Sequence, residues 1–384
     1  MSRAALIAAA AVLVGAASGV PARADSILYR CHPNICRVAP DGSGAKRVTR
    51  DGTRGGPAYG WLSASADGSR LGVSYGNRAH VLNGSGKRLA GPLPHSGGAV
   101  LQTQIRPDGR QVATIETVGE SIPPPLRFVP YLFLADADGS GRETVARSTT
   151  ATAWLGDRLL RSESADESPF AQQICLLASN TDFPCERLVA SDAERDLWDP
   201  VVSPNGRFVA VTRAPVDAFQ GEIAIYSTAT AALARVLTSG PGDSQPSWSP
   251  DGRRIAFTRG DGGLWIVRAD GAPGSERRIL ASGAQPVWVS GGGLPRLTGP
   301  KRVRAGARVL IRLRGAPREA RAILQRRVGR RWRPLARRTT GRSPTVFAIR
   351  FPRAGRAVLR IRLRAPGAST TESRRLTIRV LAAG

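Results

Sequence analysis

Lysine is nearly missing from this sequence: three residues, at 46, 87 and 301, stand against 53 arginines. A GC-rich coding sequence produces that imbalance, so alone it says nothing of function. Acidic residues are missing more selectively. From Arg296 onward only Glu319 and Glu372 oppose 26 basic residues, a net +24 that leaves +3 for residues 1–295. Histidine occurs only at 32, 80 and 95, which excludes a His-Glu-x-x-His metal helix. A Gly-x-Ser-x-Gly elbow and a phosphate-binding Gly-rich loop are also absent. After the first twenty residues no apolar run is long enough to span a bilayer. What remains is a succession of short β-rich segments divided by 43 Gly and 28 Pro, the pattern of an all-β protein.

The beginning of the chain has the parts of an export signal. Met1-Ser2-Arg3 supplies a positive charge, residues 4–14 an apolar run, and Ala22-Arg23-Ala24 a small-x-small cleavage pattern. Residues 1–24 are therefore expected to direct export, to the extracellular space or the cell envelope. Four cysteines suit that oxidising compartment. Cys31 and Cys36 flank four residues, and Cys175 and Cys185 flank the turn-like Ser179-Asn180-Thr181-Asp182, so two disulfides, each clipping one hairpin, are expected. The spacings and the lack of histidine argue against zinc.

Internal repetition is the strongest signal. Ser249-Pro250-Asp251-Gly252-Arg253-Arg254-Ile255-Ala256-Phe257 returns as Ser203-Pro204-Asn205-Gly206-Arg207-Phe208-Val209-Ala210-Val211 and as Arg106-Pro107-Asp108-Gly109-Arg110-Gln111-Val112-Ala113-Thr114. Weaker copies begin at Ser65 and Trp154. Proline fixes φ, and Asp-Gly or Asn-Gly tolerates positive φ, so each copy is a tight turn between two strands. A second turn follows each copy, as in Asp136-Ala137-Asp138-Gly139-Ser140-Gly141 and Ala269-Asp270-Gly271. That makes units of four strands, A to D, which are propeller blades. The turn at 136–141 lacks the glutamate a calcium loop needs, since its twelfth position is Arg147.

The stretch Trp248-Ser249-Pro250-Asp251-Gly252, followed by Ile255-Ala256-Phe257, Leu264-Trp265-Ile266-Val267 and Ala269-Asp270-Gly271, resembles the TolB-type propeller repeat. The resemblance covers about residues 25–290. It implies a six-bladed β-propeller, a docking surface in TolB itself and a gate in prolyl-oligopeptidase-like peptidases. The chain departs from both, with neither an extra N-terminal domain nor a hydrolase domain in the sequence.

Gln285-Pro286-Val287-Trp288 matches the A strands at Gln245-Pro246-Ser247-Trp248 and Asp199-Pro200-Val201-Val202. Ile27-Leu28-Tyr29-Arg30 matches the B strand Ile255-Ala256-Phe257-Thr258. One C-terminal strand and three N-terminal ones are thus expected to complete the same blade, closing a ring of six. The tight turns then share one face. Longer segments at 117–130, 162–171 and 213–221 share the other, and are expected to be loops.

Residues 291–297, with Gly291-Gly292-Gly293 and Pro295, read as a linker, including a superficially sortase-like stretch at 294–299. Residues 298–384 alternate apolar residues with arginine, as in Ile311-Arg312-Leu313-Arg314 and Leu359-Arg360-Ile361-Arg362-Leu363-Arg364. Period-2 patterning gives strands with one dry face, and about 90 residues of them suit an immunoglobulin-like β-sandwich.

Candidate partner-binding residues come from a carboxylate group on the long-loop face: Glu163, Asp166, Glu167, Asp192, Glu194, Asp196, Asp199 and Asp243, with Arg195 among them and Trp198 as an aromatic anchor. Candidate polyanion-binding residues are Arg312, Arg314, Arg360, Arg362 and Arg364, a single dense positive face if their strands share a sheet. No catalytic residue, cofactor site or metal site is assigned. The expected function is that of an exported, monomeric, non-enzymatic binding protein. Its propeller would dock a protein or glycan, and its basic sandwich would contact anionic cell-surface polymers, export making nucleic acid an unnatural ligand. The rival reading is a hydrolase or dehydrogenase with its site in the central channel.

Overall fold

The computed structural model describes residues 25–120, 127–163, 173–177, 185–192, 194–215, 221–240, 242–290, 296–314, 316, 320–329, 331–341, 345–364, 370–372, 375–382. The export signal, Asp166, Glu167, the turn at 179–182, the triple glycine and Glu319 lie outside the described residues, as do the side chains of Glu163, Arg314 and Glu372. Every element among the described residues is a strand, and no helix there is long and apolar enough to cross a membrane.

Six four-stranded antiparallel sheets form the blades. Blade one joins strand Ala284–Val289 to Ser26–Cys31, Asn34–Val38 and Lys46–Arg47. Its seam is in register, with Val289 opposite Ser26, Trp288 opposite Ile27 and Val287 opposite Leu28. Blades two to six begin at strands Tyr59–Ala64, Val100–Ile105, Thr152–Leu155, Arg195–Val202 and Ser244–Trp248. The first strand of each blade touches the first strand of the next, and Ala284–Val289 touches Tyr59–Ala64, so the inner strands form a closed ring. Closure gives the two otherwise lone strands Ala284–Val289 and Ser26–Cys31 each other as partners in blade one.

The repeated turn motif builds itself locally. Ser249 Oγ donates to Asp251 Oδ1 (2.7 Å) and accepts the Arg254 N–H (2.9 Å), while Asp251 Oδ1 accepts the Arg253 N–H. Gly252, at φ 68°, supplies the positive φ such a turn needs. Alternate residues pack between blades: Ile27, Tyr29, Val38, Ile266 and Trp288 share one cluster, and Leu28, Ile35, Leu62, Leu71 and Val289 the next. Disulfides clip two hairpins, Cys31 to Cys36 in blade one and Cys175 to Cys185 in blade four.

The segment 117–130 is not a loop through most of its length. Strands Gln111–Glu120 and Arg127–Asp136 stay paired from Asp136–Gln111 out to Arg127–Glu120, so blade three carries a long hairpin. Pro130 fits because its missing N–H points to the outer side, where its carbonyl accepts the Thr149 N–H (3.2 Å). Glu120 ties the hairpin down, accepting from Tyr131 Oη (2.5 Å) and Arg147.

Beyond the propeller lie two sheets. Three strands run in the order Arg296–Thr298, Arg308–Arg314, Thr345–Arg350. The other sheet runs Arg302–Arg304, Leu376–Leu381, Gly355–Arg364, Arg321–Val328, Arg331–Thr339, with Thr370–Glu372 added beside Gly355–Arg364. Val309, Ile311 and Leu313 from one sheet meet Leu359, Ile361, Leu363, Ile378 and Val380 from the other in one core. This is a sandwich. It takes in Arg296 and Leu297 from the stretch read as linker, because Leu297 is buried in that core.

Candidate binding sites

Five of the six inner strands enter their blades through an irregularity; that of blade four, Thr152–Leu155, pairs without one. Asp199, Gln245 and Gln285 precede prolines and adopt φ of 48°, 57° and 53°. Non-glycine residues rarely hold such angles. The register shifts there, between Trp198 and Val201 and between Ser244 and Ser247. The bulge re-aims the side chain toward the next blade. Asp199 Oδ2 accepts the Gln245 N–H (3.3 Å) and the Thr212 hydroxyl (3.0 Å). Gln245 Oε1 accepts the Gln285 N–H (3.0 Å) and the Thr258 hydroxyl (3.1 Å). In the same way Gln102 Oε1 of blade three accepts the Thr152 N–H of blade four (2.8 Å). These side chains form a girdle that stitches inner strand to inner strand. The Gln-Pro and Asp-Pro dipeptides were visible in the sequence; their inter-blade partners were not.

The carboxylates read as a loop-face group take separate places. Asp196 and Asp243 are fully buried and offer no surface to a macromolecule. Asp243 is held by Arg259, Nε to Oδ1 at 2.7 Å and Nη2 to Oδ2 at 2.8 Å, and the same guanidinium reaches Glu276 (2.5 Å) and lies 4.3 Å from the Trp265 ring centre. Both carboxylates hold Arg259 firmly in its charged form. Asp192 accepts from Arg213 Nε (2.8 Å) and Tyr226 Oη (2.9 Å). Burial would raise its pKa, but these bonds outweigh burial and hold it below the usual range. Asp199 goes the other way: burial pushes its carboxyl up, against the bonds from Thr212 and Gln245. Glu194 is exposed, and Trp198 and Arg195 are half-buried. Among the described residues no three or more His, Cys, Asp or Glu side chains gather as a metal site would require.

The arginine rows do not share a sheet. Arg312 and Arg314 are in the three-stranded sheet, and Arg360, Arg362 and Arg364 in the larger one. Both sheets turn their apolar residues into the same core, so their other faces point in opposite directions. On the larger sheet a row not singled out from the sequence is the most concentrated. Arg302 pairs with Arg379, which pairs with Arg356, and all three are exposed. Among the described residues none of the three has a carboxylate within ion-pair distance. Arg364 stands opposite Arg321 on the same face, and Arg360 lies 4.3 Å from the Trp332 ring centre. On the smaller sheet Arg308 pairs with Arg350, with Arg312 four residues along the same strand.

No protein-family model matches the sequence, and no curated protein matches it. Solved structures do resemble the fold. TolB from Acinetobacter baumannii matches with a TM-score of 0.52 at 17% identity, over 69% of this chain and 66% of that one. A putative TolB from Agrobacterium tumefaciens matches at 0.50 and 15%, over 68% and 91%. A chain of a nidogen/laminin complex matches at 0.52 and 10%, over 70% and 99%. At these identities the likeness is one of fold: the N-terminal unit is a TolB-like β-propeller.

Proposed function

We propose that the protein is an exported, non-catalytic binding protein. Its propeller docks a protein or glycan partner through the long-loop face, and its C-terminal module holds an anionic polymer of the cell surface. The disulfides and the TolB-like fold support export. The module is an immunoglobulin-like sandwich in this reading. Three strands against a sheet whose central order is Leu376–Leu381, Gly355–Arg364, Arg321–Val328, Arg331–Thr339 support that kinship.

The observation that carries the reading is the row Arg302, Arg379, Arg356. Like charges directly opposite one another in a sheet destabilise it. In the propeller, arginines such as Arg106, Arg142, Arg213 and Arg259 have carboxylate partners. In the sandwich this row has none among the described residues, and a polyanion supplies what is missing while releasing its counterions.

The test uses the full chain with a polyphosphate-backbone wall polymer and with anionic phospholipid vesicles. Binding should fall steeply with salt, as screening over about 8 Å at physiological ionic strength requires, yet remain measurable there. Reversal of Arg302, Arg356 and Arg379 to Glu should weaken it at least about tenfold. Retention that vanishes by physiological salt, or that survives the reversals, refutes the reading.

A further inference from the structure

On the larger sheet, strand Gly355–Arg364 turns Arg356, Val358, Arg360, Arg362 and Arg364 outward, and its one apolar member, Val358, is half-buried. The smaller sheet departs from that habit. Its strands Arg308–Arg314 and Thr345–Arg350 send Val309, Ile311, Leu313, Phe347 and Ile349 into the core. Alternation then points Arg308, Leu310 and Arg312 outward from the first and Val346, Ala348 and Arg350 from the second, and all six are exposed. Register sorts them into rows: Arg308 opposite Arg350, Leu310 opposite Ala348, Arg312 opposite Val346. Leu310 and Val346 each keep 39% of their surface in solvent. An apolar centre therefore lies between two arginines at one end and Arg312 at the other. Among the described residues no carboxylate stands within ion-pair distance of these three arginines.

Charge and area decide what covers this face. A second copy would set the three arginines against their own kind, in a segment that carries a net +24 from Arg296 onward, so like charge opposes it. A folded protein partner needs about 800 Å² on each side of a stable interface. Three strands, the longest of seven residues, lie about 4.8 Å apart and rise about 3.4 Å per residue, which gives the sheet a flat extent of only roughly 350 Å². A bilayer surface sets no such minimum. Apolar side chains in the headgroup boundary and basic side chains at anionic phosphates add their contributions residue by residue. Arginine suits the rim of such a patch, because its stem lies along apolar surface while its head stays in the polar layer.

We propose that the outward face of the smaller sheet docks on a bilayer containing anionic phospholipid. Leu310, Val346 and Ala348 enter the headgroup boundary, and Arg308, Arg312 and Arg350 meet lipid phosphates. The site goes beyond the polymer-binding reading, which rests on the opposite face: with the smaller sheet on lipid, Arg302, Arg356 and Arg379 point away from it.

The experiment reads which face inserts. The four native cysteines are paired, so an environment-sensitive dye can be attached to a single new thiol, Ala348→Cys on the smaller sheet or Thr377→Cys on the larger. Each labelled full chain is mixed with vesicles of phosphatidylglycerol and phosphatidylcholine at physiological salt. The dye at 348 should be quenched by nitroxide-bearing lipid and shielded from aqueous iodide, and the dye at 377 should show the reverse. Leu310→Thr combined with Val346→Thr keeps strand-forming residues and removes the apolar centre. It should weaken vesicle binding at least about tenfold, while binding of a dissolved polyphosphate-backbone polymer stays unchanged. The variant Arg302→Glu, Arg356→Glu, Arg379→Glu, which tests the polymer reading, should still bury the dye at 348 in the vesicle-bound fraction that remains. Quenching at 377 in place of 348, or equal quenching at both, overturns the proposal. So does vesicle affinity that survives the double threonine variant, or an absence of vesicle binding, which would turn the face over to an acidic protein.

Discussion

Removing the strand Ala284–Val289 should cost the propeller its cooperative fold, whereas removing only the sandwich should not. The magnitude follows from what the strand buries. Trp288 and Val289 are nearly inaccessible, packed in two different clusters between blades, and losing them exposes Ile27 and Leu28 as well. Large-to-small changes of buried aromatic and aliphatic residues cost about 3–5 and 1–3 kcal/mol respectively. The lost ladder to Ser26–Cys31 and the uncapped acceptor of Gln245 add to this, at about 1 kcal/mol per hydrogen bond. The total approaches the roughly 5–15 kcal/mol that holds a typical domain together. Truncation after residue 295 and truncation after residue 283 should be compared by calorimetry and circular dichroism. The longer chain should melt in one sharp transition and the shorter in a broad or undetectable one. Equal melting temperatures would refute the one-plus-three closure as the element that holds the ring.

Other expectations follow from single groups. His80 is buried, and burial, more than the nearby Arg88, lowers its pKa from 6.5 to about 4. The unfolded chain therefore takes up the proton first, and stability should fall as pH drops from 6.5 toward 4, by roughly 3 kcal/mol; His80→Gln should flatten that limb of a denaturation-against-pH curve. Asp199 behaves oppositely: its raised pKa means stability is lost as pH climbs above the ordinary carboxylate range. Asp199→Asn, which keeps an acceptor for Thr212 and Gln245, should melt higher than the parent at pH 7, and a lower melting point would argue that the charge itself is needed. Replacing Cys31 and Cys36 by serine should cost about 2 kcal/mol, and replacing Cys175 and Cys185 about 3, from the loop each bridge closes. Urea titrations of the two double variants measure both.

The blades were legible because their turns are written in local chemistry: Ser-Pro-Asp-Gly satisfies its own backbone before any neighbour arrives. Ring closure was legible for a related reason, since a lone A strand and a lone B strand each demand a partner. The girdle was not, because it consists of bonds between residues some forty positions apart, such as Gln245 and Gln285. The hairpin beyond Thr117 was expected to be a loop because of the prolines at 123–125, while the ladder runs on through Val118–Val129 to Glu120–Arg127. Alternation identified which sandwich residues are dry, but not which strands are neighbours. For that reason a single arginine face could be expected only on the condition of a shared sheet, and Arg312 and Arg362 in fact lie on different sheets with the core between them.

That separation has a consequence for stoichiometry. Sheets in a sandwich lie about 10 Å apart, slightly beyond the screening length at physiological salt of about 8 Å. The two arginine faces thus act as back-to-back charges that barely sense each other through solvent, and no flat surface can touch both. Under the proposed polyanion binding, such a module would be divalent toward a thread-like polymer. Added gradually to dissolved polymer, it should first cross-link chains into a turbid network near charge balance. Past that point it should coat each chain singly and let the solution clear again.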